Sequence, residues 1–240
     1  GMSVTWQLEI GNLHDPAATL TPEQMREIRT FSPNTNEWIR SCRGCPLLGD
    51  GFLVTEHWKR QSPDRWAGRI EFSGNTSGLY VEKIHFPVVK MPFPASGIRL
   101  LVGVSQGWVY RFEADHADGV LAAHHFSSLQ LCAALTGTKC YYFDCRDLRD
   151  HLKSYSWHKK AQTLEYHVEH PCPCAPRNRR AGKIAFDNSV AVFPGDWYEA
   201  AQVYRTWALT TPRYRKRIRN NPQRETAIWL WNRGGAEHVI

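Results

Sequence analysis

Short runs of alternating apolar and polar residues dominate the chain up to about residue 195. These runs cover 3–10, 52–58, 66–73, 79–86, 98–104, 107–112, 129–135, 139–144, 162–169 and 183–193. Turn-forming sequences such as Gly74-Asn-Thr-Ser-Gly78 separate them. Many short strands at this spacing, with no helix between them, predict a mainly β protein built as an antiparallel sandwich.

Two segments carry helix signals. Thr21-Pro-Glu-Gln24 has a capping residue followed by proline, which predicts a short helix over 21–28. Asp196-Trp-Tyr-Glu199 is a capping box that opens a longer helix, and Thr211-Pro212 ends it. One stripe of that helix is expected to form its packing face, and it consists of Trp197, Ala200, Ala201, Tyr204, Trp207 and Ala208.

The last segment predicts a buried strand. Thr226-Ala-Ile-Trp-Leu-Trp-Asn-Arg-Gly234 is an apolar and aromatic run that ends in a polar pair and a glycine turn. A strand buried on both faces needs neighbours on each side, and only Ala236–Ile240 follow, so we expect a partner domain that this chain does not contain. An apolar strand without neighbours also predicts self-association through residues 226–234.

Composition and charge narrow the classes of function. The 240 residues are enough for a core without disulfide or metal staples, and the formal net charge is +7. Much of the excess lies in Arg177-Asn-Arg-Arg180 and Arg213-Tyr-Arg-Lys-Arg-Ile-Arg219. No recognition motif accompanies these clusters, so we expect a solvated connector and no nucleic-acid partner.

The amino-terminal residues, the lengths of the apolar runs and the cysteines together predict where the protein is located in the cell. Residues 3–10 have neither a basic nor a long apolar leader segment, and no apolar run reaches transmembrane length. The seven cysteines are odd in number and irregularly spaced, which favours a reducing compartment. We therefore predict a cytoplasmic protein with no membrane partner.

Several sequence blocks, taken in order, resemble one protein family. They are Glu82-Lys-Ile-His-Phe-Pro-Val88, Leu100-Leu-Val-Gly-Val-Ser-Gln-Gly107, Ser127-Ser-Leu-Gln130, Lys139-Cys-Tyr-Tyr-Phe-Asp144, Phe193-Pro-Gly-Asp-Trp-Tyr-Glu-Ala-Ala-Gln-Val-Tyr-Arg-Thr-Trp207 and Trp229-Leu-Trp-Asn232. Together they are similar to the amino-terminal half of a largely uncharacterised family of glycoside hydrolases, often described as a domain of unknown function. Its members place a galactose-mutarotase-like β-sandwich before a (β/α)8 barrel. The resemblance covers roughly residues 50–235.

The resemblance implies a division of the chain. Residues 1–50 would be an extension packed on or leading into the sandwich, 51–195 a galactose-mutarotase-like supersandwich, 196–225 a linker helix and basic connector, and 226–240 the lone first strand of a missing barrel. Because the carboxylates that cut glycosides would come from later barrel strands, we expect no catalytic residue in this chain.

The implied function is therefore that of a non-catalytic amino-terminal domain that supports a catalytic barrel. Two alternatives remain open. The first alternative is a stand-alone carbohydrate-binding or scaffold protein. The second is a mutarotase-like sugar isomerase.

Four residues are predicted to contact carbohydrate. Trp231 and Asn232 would lie at the carboxyl end of a barrel strand, where barrel enzymes build their sites. Asp144 follows Tyr-Tyr-Phe and is expected to point into a concave face, and its structural alternative is to cap the following turn. Trp108 lies near a strand end, and core packing is its structural alternative. Three further carboxylates and two further tryptophans are candidates: Glu82, Asp147, Asp150, Trp157 and Trp229.

The isomerase alternative and the metal-binding alternative would use different residues. A mutarotase would need a histidine and a glutamate on a sheet face, and the candidate histidines are His85, His124, His125, His158 and His167. We predict no cofactor and no metal. The alternative is a structural zinc on Cys42, Cys45, Cys172 and Cys174, with His167 and His170 nearby as substitutes, although only the first cysteine pair has zinc-like spacing.

Overall fold

The computed structural model describes residues 1–12, 18–104, 107–125, 129–172 and 180–212, together with the backbone of 231–233 and 236–238. The chain divides into two compact units, residues 1–200 and residues 201–240.

The first unit is a two-sheet β structure, as the alternating pattern predicted. Its strands are β1 (Ser3–Gly11), β2 (Ala18–Leu20), β3 (Glu27–Asn34), β4 (Glu37–Cys45), β5 (Gly49–Ser62), β6 (Arg65–Ser73), β7 (Tyr80–Pro92), β8 (Ile98–Val102), β9 (Trp108–Phe112), β10 (Gly119–His125), β11 (Leu131–Thr136), β12 (Lys139–Cys145), β13 (Ser154–Lys160), β14 (Thr163–Pro171), β15 (Gly182–Lys183) and β16 (Asn188–Pro194).

Two antiparallel sheets enclose one core. Sheet A has the strand order β10-β13-β14-β7-β1-β2, and sheet B has the order β3-β4-β5-β6-β16-β12-β11-β8-β9, with β15 pairing β6. Phe143 of sheet B stacks on Tyr166 of sheet A with ring centroids 4.5 Å apart, and Trp58 meets Phe86 at 5.3 Å. These aromatic contacts between sheets are typical of a sandwich core. The mainly β prediction is confirmed.

Residues 1–50 contribute strands to both sheets. β1 lies between β7 and β2 inside sheet A, with the core residues Trp6, Leu8 and Ile10 buried, whereas β3 and β4 extend sheet B. The predicted boundary at residue 50 falls inside β5. β3 was not predicted, because nearly all of its side chains are exposed at the sheet edge and no alternation of polarity results.

The predicted helix over 21–28 is wrong beyond its first turn. Pro22–Gln24 forms a single 3-10 turn, in which the Thr21 amide donates to Gln24 Oε1 at 2.8 Å. Met25 is already extended, and β3 begins at Glu27. The capping chemistry is present as predicted, but strand pairing with β4 takes the following residues.

The second predicted helix is confirmed as α1 (Trp197–Thr210). Its capping box forms reciprocally, since the Tyr198 amide donates to Asp196 Oδ1 and the Asp196 amide donates to Glu199 Oε2, both at 2.8 Å. Ala200 of the predicted packing stripe is buried, whereas Trp197 is 47% exposed. No helix in the described ranges combines the length and apolarity needed to cross a membrane.

In the second unit, β17 (Trp231–Arg233) pairs antiparallel with β18 (Ala236–His238). The strand predicted around Trp231 is therefore present in the backbone, but it has a hairpin partner that the sequence did not predict. Residues 226–230 of the predicted strand lie outside the described residues.

Candidate functional site

The face of sheet B that points away from the core carries Asp144. Along β12, Phe143 and Cys145 belong to the core, so Tyr142 and Asp144 point to the opposite side, the outer face of sheet B. Asp144 lies directly opposite Ser189 of β16, and Tyr142 lies opposite Ala191. The sequence predicts Asp144 to point into a concave face; its side chain lies on the outer face of sheet B and has no exposed surface.

Asp144 is buried and only half satisfied. The Tyr142 hydroxyl donates to Asp144 Oδ2 at 2.6 Å, and Arg146 Nε lies 3.4 Å from the same oxygen. Asp144 Oδ1 is buried without a hydrogen-bond partner, and so is the Ser189 hydroxyl across the strand pair. A buried carboxylate oxygen without a donor reduces the stability that this group contributes.

The turn-capping role considered for Asp144 belongs to Asp147. Its carboxylate accepts the Arg149 amide at 2.9 Å and the His151 amide at 2.6 Å, and Lys153 Nζ lies 2.7 Å away. Burial acts to raise the pKa of Asp147, but these hydrogen bonds, led by Lys153, outweigh it and lower the pKa. Asp147 is therefore a structural carboxylate that orders the segment after β12.

Two arginines complete the group around Asp144. Arg146 Nη1 donates to Gln61 Oε1 at 3.0 Å. Arg65, which lies opposite Ala191, has a buried Nε without a hydrogen-bond partner, and burial together with the positive charge of Arg146 lowers its pKa. We call Arg65, Tyr142, Asp144, Arg146 and Ser189 the Asp144 cluster.

A polar concavity of about 350 Å³ includes Gln61, the residue that links it to the Asp144 cluster. Its charged and polar lining comes from Glu37, His57, Lys59, Gln61, Arg69 and Asp187. Arg69 Nε and Asp187 Oδ1 are 2.5 Å apart across it. Converging donors and acceptors of this kind suit a polar ligand or a polar partner surface better than an apolar one.

The outer face of sheet A carries three of the five candidate histidines. His85 of β7, His158 of β13 and His167 of β14 alternate with core residues, and the ring centroids of His167 lie 5.9 Å from His85 and 5.4 Å from His158. Burial, reinforced by these two histidines, lowers the pKa of His167 to about 4. His124 and His125 lie apart from them on the edge strand β10.

Acidic residues surround His85 on the same face. His85 Nε2 lies 2.8 Å from Glu9 Oε1, and Lys83 Nζ lies 3.2 Å from both Glu9 Oε2 and Glu169 Oε2. Burial acts to raise the pKa of Glu9, but the hydrogen bonds from His85 and Lys83 lower it. Sequence reasoning missed Glu9, Lys83 and Glu169. The period-two pattern Glu165-x-His167-x-Glu169 was the signal that would have placed this stretch on one polar face.

Trp108 begins an aromatic row on the edge strand β9. The ring centroids of Trp108 and Tyr110 are 6.0 Å apart, and those of Tyr110 and Phe112 are 6.5 Å apart. Trp108 is 45% exposed, whereas Trp157 is fully buried in the core. The core-packing alternative therefore holds for Trp157, and Trp108 remains accessible.

The other candidates are not brought together. Glu82 is half-buried on β7, and Asp150 is exposed. Among the described residues, the sulfurs of Cys42, Cys45 and Cys172 do not form a three-ligand group, and Cys174 lies outside them. Burial raises the pKa of Cys42 to about 11, which disfavours the thiolate that zinc requires.

The predicted contacts Trp231 and Asn232 belong to β17, of which only the backbone is described. Trp229 lies outside the described residues.

Comparison with known proteins gives a fold likeness only. No protein-family model matches the sequence, and no curated protein is similar to it. The structure is similar to that of an alpha-N-acetylgalactosaminidase, NagBb from Bifidobacterium bifidum, in its complex with Gal-NHAc-DNJ, with a TM-score of 0.60 and 12% identity. The ligand-free form of that enzyme gives a TM-score of 0.55 and 11% identity. In both comparisons the match covers 88% of this chain and 34% of that chain, so this chain resembles about a third of a glycoside hydrolase.

Proposed function

We propose that this chain is the non-catalytic amino-terminal β-sandwich domain of a glycoside hydrolase and supports a catalytic barrel that is not among its 240 residues. The observation that carries the proposal is the coverage of the structural match, which spans 88% of this chain and only 34% of a glycosidase. A domain with that coverage corresponds to one part of a larger enzyme rather than to a whole one.

The state of Asp144 supports a non-catalytic role. Glycoside hydrolysis needs two carboxyl groups that reach the scissile bond from opposite sides. Asp144 has no exposed side-chain surface, and Tyr142 and Arg146 occupy one of its oxygens. A glycosidic oxygen therefore has no access to it.

In this proposal the outer face of sheet B supports the barrel. The polar concavity, lined by the charged side chains of Glu37, Lys59, Arg69 and Asp187, would form part of a polar interface between the domains. A loop from this face would then border the substrate pocket of the assembled enzyme, with Trp231 and Asn232 as sugar contacts once the barrel is present.

Hydrolysis assays on two polypeptides test the proposal. The 240-residue chain should release no nitrophenol above buffer from a panel of nitrophenyl glycosides that includes the α-N-acetylgalactosaminide. The gene sequence after the codon for Ile240 should encode a barrel with paired carboxylates, and the longer polypeptide should hydrolyse a member of the panel. Turnover by the 240-residue chain that Asp144→Asn abolishes would overturn the proposal, as would a gene that encodes no barrel.

A second candidate is a stand-alone carbohydrate-binding protein, and the aromatic row on β9 favours it. Aromatic rings stack on the C–H faces of sugars, and Trp108 is exposed beside Tyr110 and Phe112. Binding would then quench tryptophan fluorescence in a titration with oligosaccharides. Trp108→Ala should abolish the quenching, whereas Trp197→Ala, which alters a similarly exposed tryptophan on α1, should not.

A further inference from the structure

Three adjacent strands of sheet A bring a histidine and two glutamates together. Glu9 is on β1, His85 is on the central strand β7, and Glu169 is on β14. His85 lies directly opposite Glu169, because the register between β14 and β7 shifts between His167 and Glu169. A second register shift occurs between β1 and β7, directly after Glu9 pairs with Lys83. Register irregularities of this kind re-aim side chains, and here they collect three groups at one point of the face.

These three side chains have the spacing of a metal-ligand set. One ligand atom from each of Glu9, His85 and Glu169 lies within 4.8 Å of the other two, and the His85 Nε2 to Glu9 Oε1 distance is 2.8 Å. Ligands around a tetrahedral zinc ion lie roughly 3.4 Å apart, given bond lengths of about 2.1 Å. Small rotations of the two glutamate side chains therefore suffice to reach that geometry.

The cluster already binds a positive charge. Lys83 Nζ lies 3.2 Å from a carboxylate oxygen of each glutamate, so the protein's own ammonium group occupies the position between them. Lys83 has 36% of its side chain exposed and a long flexible stem. It can leave toward solvent without disturbing the sheet, and a divalent cation would then replace its single charge.

We propose that Glu9, His85 and Glu169 form a Zn²⁺ site on the outer face of sheet A, and that Lys83 competes with the metal for it. Two carboxylates and one imidazole are a donor set that zinc accepts, and three protein ligands leave a fourth position for water. Ca²⁺ and Mg²⁺ are disfavoured because they take six or more oxygen ligands, and this cluster mixes nitrogen with oxygen. The site uses none of the cysteines considered for zinc from the sequence.

The competing explanation is an ion-pair network without any metal. Lys83 alone then satisfies both carboxylates, and half-exposed pairs of this kind contribute little to stability. The two explanations differ for Lys83→Met, which keeps the length of the side chain and removes its charge. A metal site gains affinity from this change, whereas an ion-pair network only loses its cation.

Calorimetric titration of the chelator-treated 240-residue chain with Zn²⁺ tests the proposal. We expect one equivalent to bind, at least tenfold weaker binding in His85→Ala and Glu169→Gln, and about tenfold tighter binding in Lys83→Met. Glu165→Gln is the matched control, because Glu165 is a carboxylate on the same face of β14 outside the ligand set, and its zinc affinity should match that of the unaltered chain.

Co²⁺ distinguishes this site from the cysteines. A nitrogen and oxygen site gives visible cobalt absorption without a sulfur charge-transfer band, and the double variant Cys172→Ser, Cys174→Ser should bind as the unaltered chain does. Circular dichroism confirms that each variant folds. No zinc binding by either the unaltered chain or folded Lys83→Met overturns the proposal, and so does binding that persists in both His85→Ala and Glu169→Gln.

Discussion

At the scale of single residues, two buried carboxylates close together in the sequence, Asp144 and Asp147, differ in how many hydrogen bonds they accept. Asp147 accepts three donors and is fully engaged, whereas Asp144, three positions earlier, keeps one oxygen without a donor. Asp144 lies within β12, whereas Asp147 follows the end of that strand. The donors to Asp147 come from the next six residues, because the segment after β12 brings Arg149, His151 and Lys153 back to its carboxylate.

Asp144→Ala should destabilise the sandwich by about 1–3 kcal/mol, because it leaves the buried Tyr142 hydroxyl and Arg146 without their carboxylate. Urea unfolding followed by tryptophan fluorescence measures the loss. Asp187→Ala is the control, since it removes a carboxylate paired with the exposed Arg69 and should cost under about 1 kcal/mol. Equal losses in the two variants would contradict the role given to Asp144.

His170 should make stability depend on pH. It is buried, its Nε2 donates to the Phe86 carbonyl at 2.8 Å, and burial lowers its pKa from 6.5 to about 3. The unfolded chain therefore binds a proton below pH 6.5 that the folded chain does not bind. The stability contributed by this group is full above pH 6.5 and is lost as pH falls toward 3, with a slope of up to about 1.4 kcal/mol per pH unit.

Urea unfolding at a series of pH values measures this dependence. His170→Gln should flatten the slope between pH 6.5 and 4, whereas His116→Gln, which alters an exposed histidine, should leave the slope unchanged. An unchanged slope in folded His170→Gln would show that another group is responsible.

At the scale of elements, alternation of polarity located most strands of the interior. Three of the strands that the sequence did not predict, β3, β10 and β13, were missed for different reasons. β3 is exposed along nearly its whole length and shows no alternation, and β10 lies at the other sheet's edge. β13 does alternate, with Tyr155 and Trp157 buried, so its sequence does carry the pattern of a half-buried strand. Edge strands escape this method because only one of their faces or neither is buried.

The pairing of β5 with β6 requires a glycine at one position. Gly68 of β6 lies directly opposite Trp58 of β5, and a Cβ at residue 68 would meet three indole atoms of Trp58 at 2.8 Å. The indole covers the glycine and donates to Glu56 Oε2 at 3.1 Å. Sequence alone marks Gly68 as an unfavourable residue inside a strand, and the structure supplies the reason for it.

Gly68→Ala should therefore displace the Trp58 ring and destabilise the protein by about 1–3 kcal/mol. Urea unfolding gives the cost, and a change in tryptophan emission reports the displaced ring. Gly78→Ala introduces the same methyl group where nothing lies within 4 Å and should be close to neutral. Matching unfolding curves for the two variants would contradict the packing of Trp58 over Gly68.

At the scale of the whole molecule, the sequence predicted the sandwich fold. It predicted the candidate sites only in part. Polarity alternation is local, so it identifies strands and hence the fold class. The clusters around Asp144 and His85 join residues that are far apart in sequence, such as Glu9 with Glu169 and Gln61 with Arg146. Sequence reasoning found Asp144 and His85 individually but not the groups that surround them.

The association expected through residues 226–234 belongs to this scale and stays a prediction. Sedimentation velocity should show a species larger than 27.6 kDa that dissociates on dilution. A chain shortened to end at Glu225 should be monomeric at the same concentrations. Identical sedimentation of the two chains would contradict the prediction.

The position of β1 has a consequence for synthesis on the ribosome. β1 is made before its partner β7, which ends at Pro92, and before the next strand of the same sheet, β14, which ends at Pro171. Strands β3 to β6 pair with near neighbours and are complete by Ser73. During translation these strands of sheet B therefore form early, while Trp6, Leu8 and Ile10 wait uncovered for distant partners. The nascent chain offers chaperones the apolar side chains of β1 until most of the sandwich has been made.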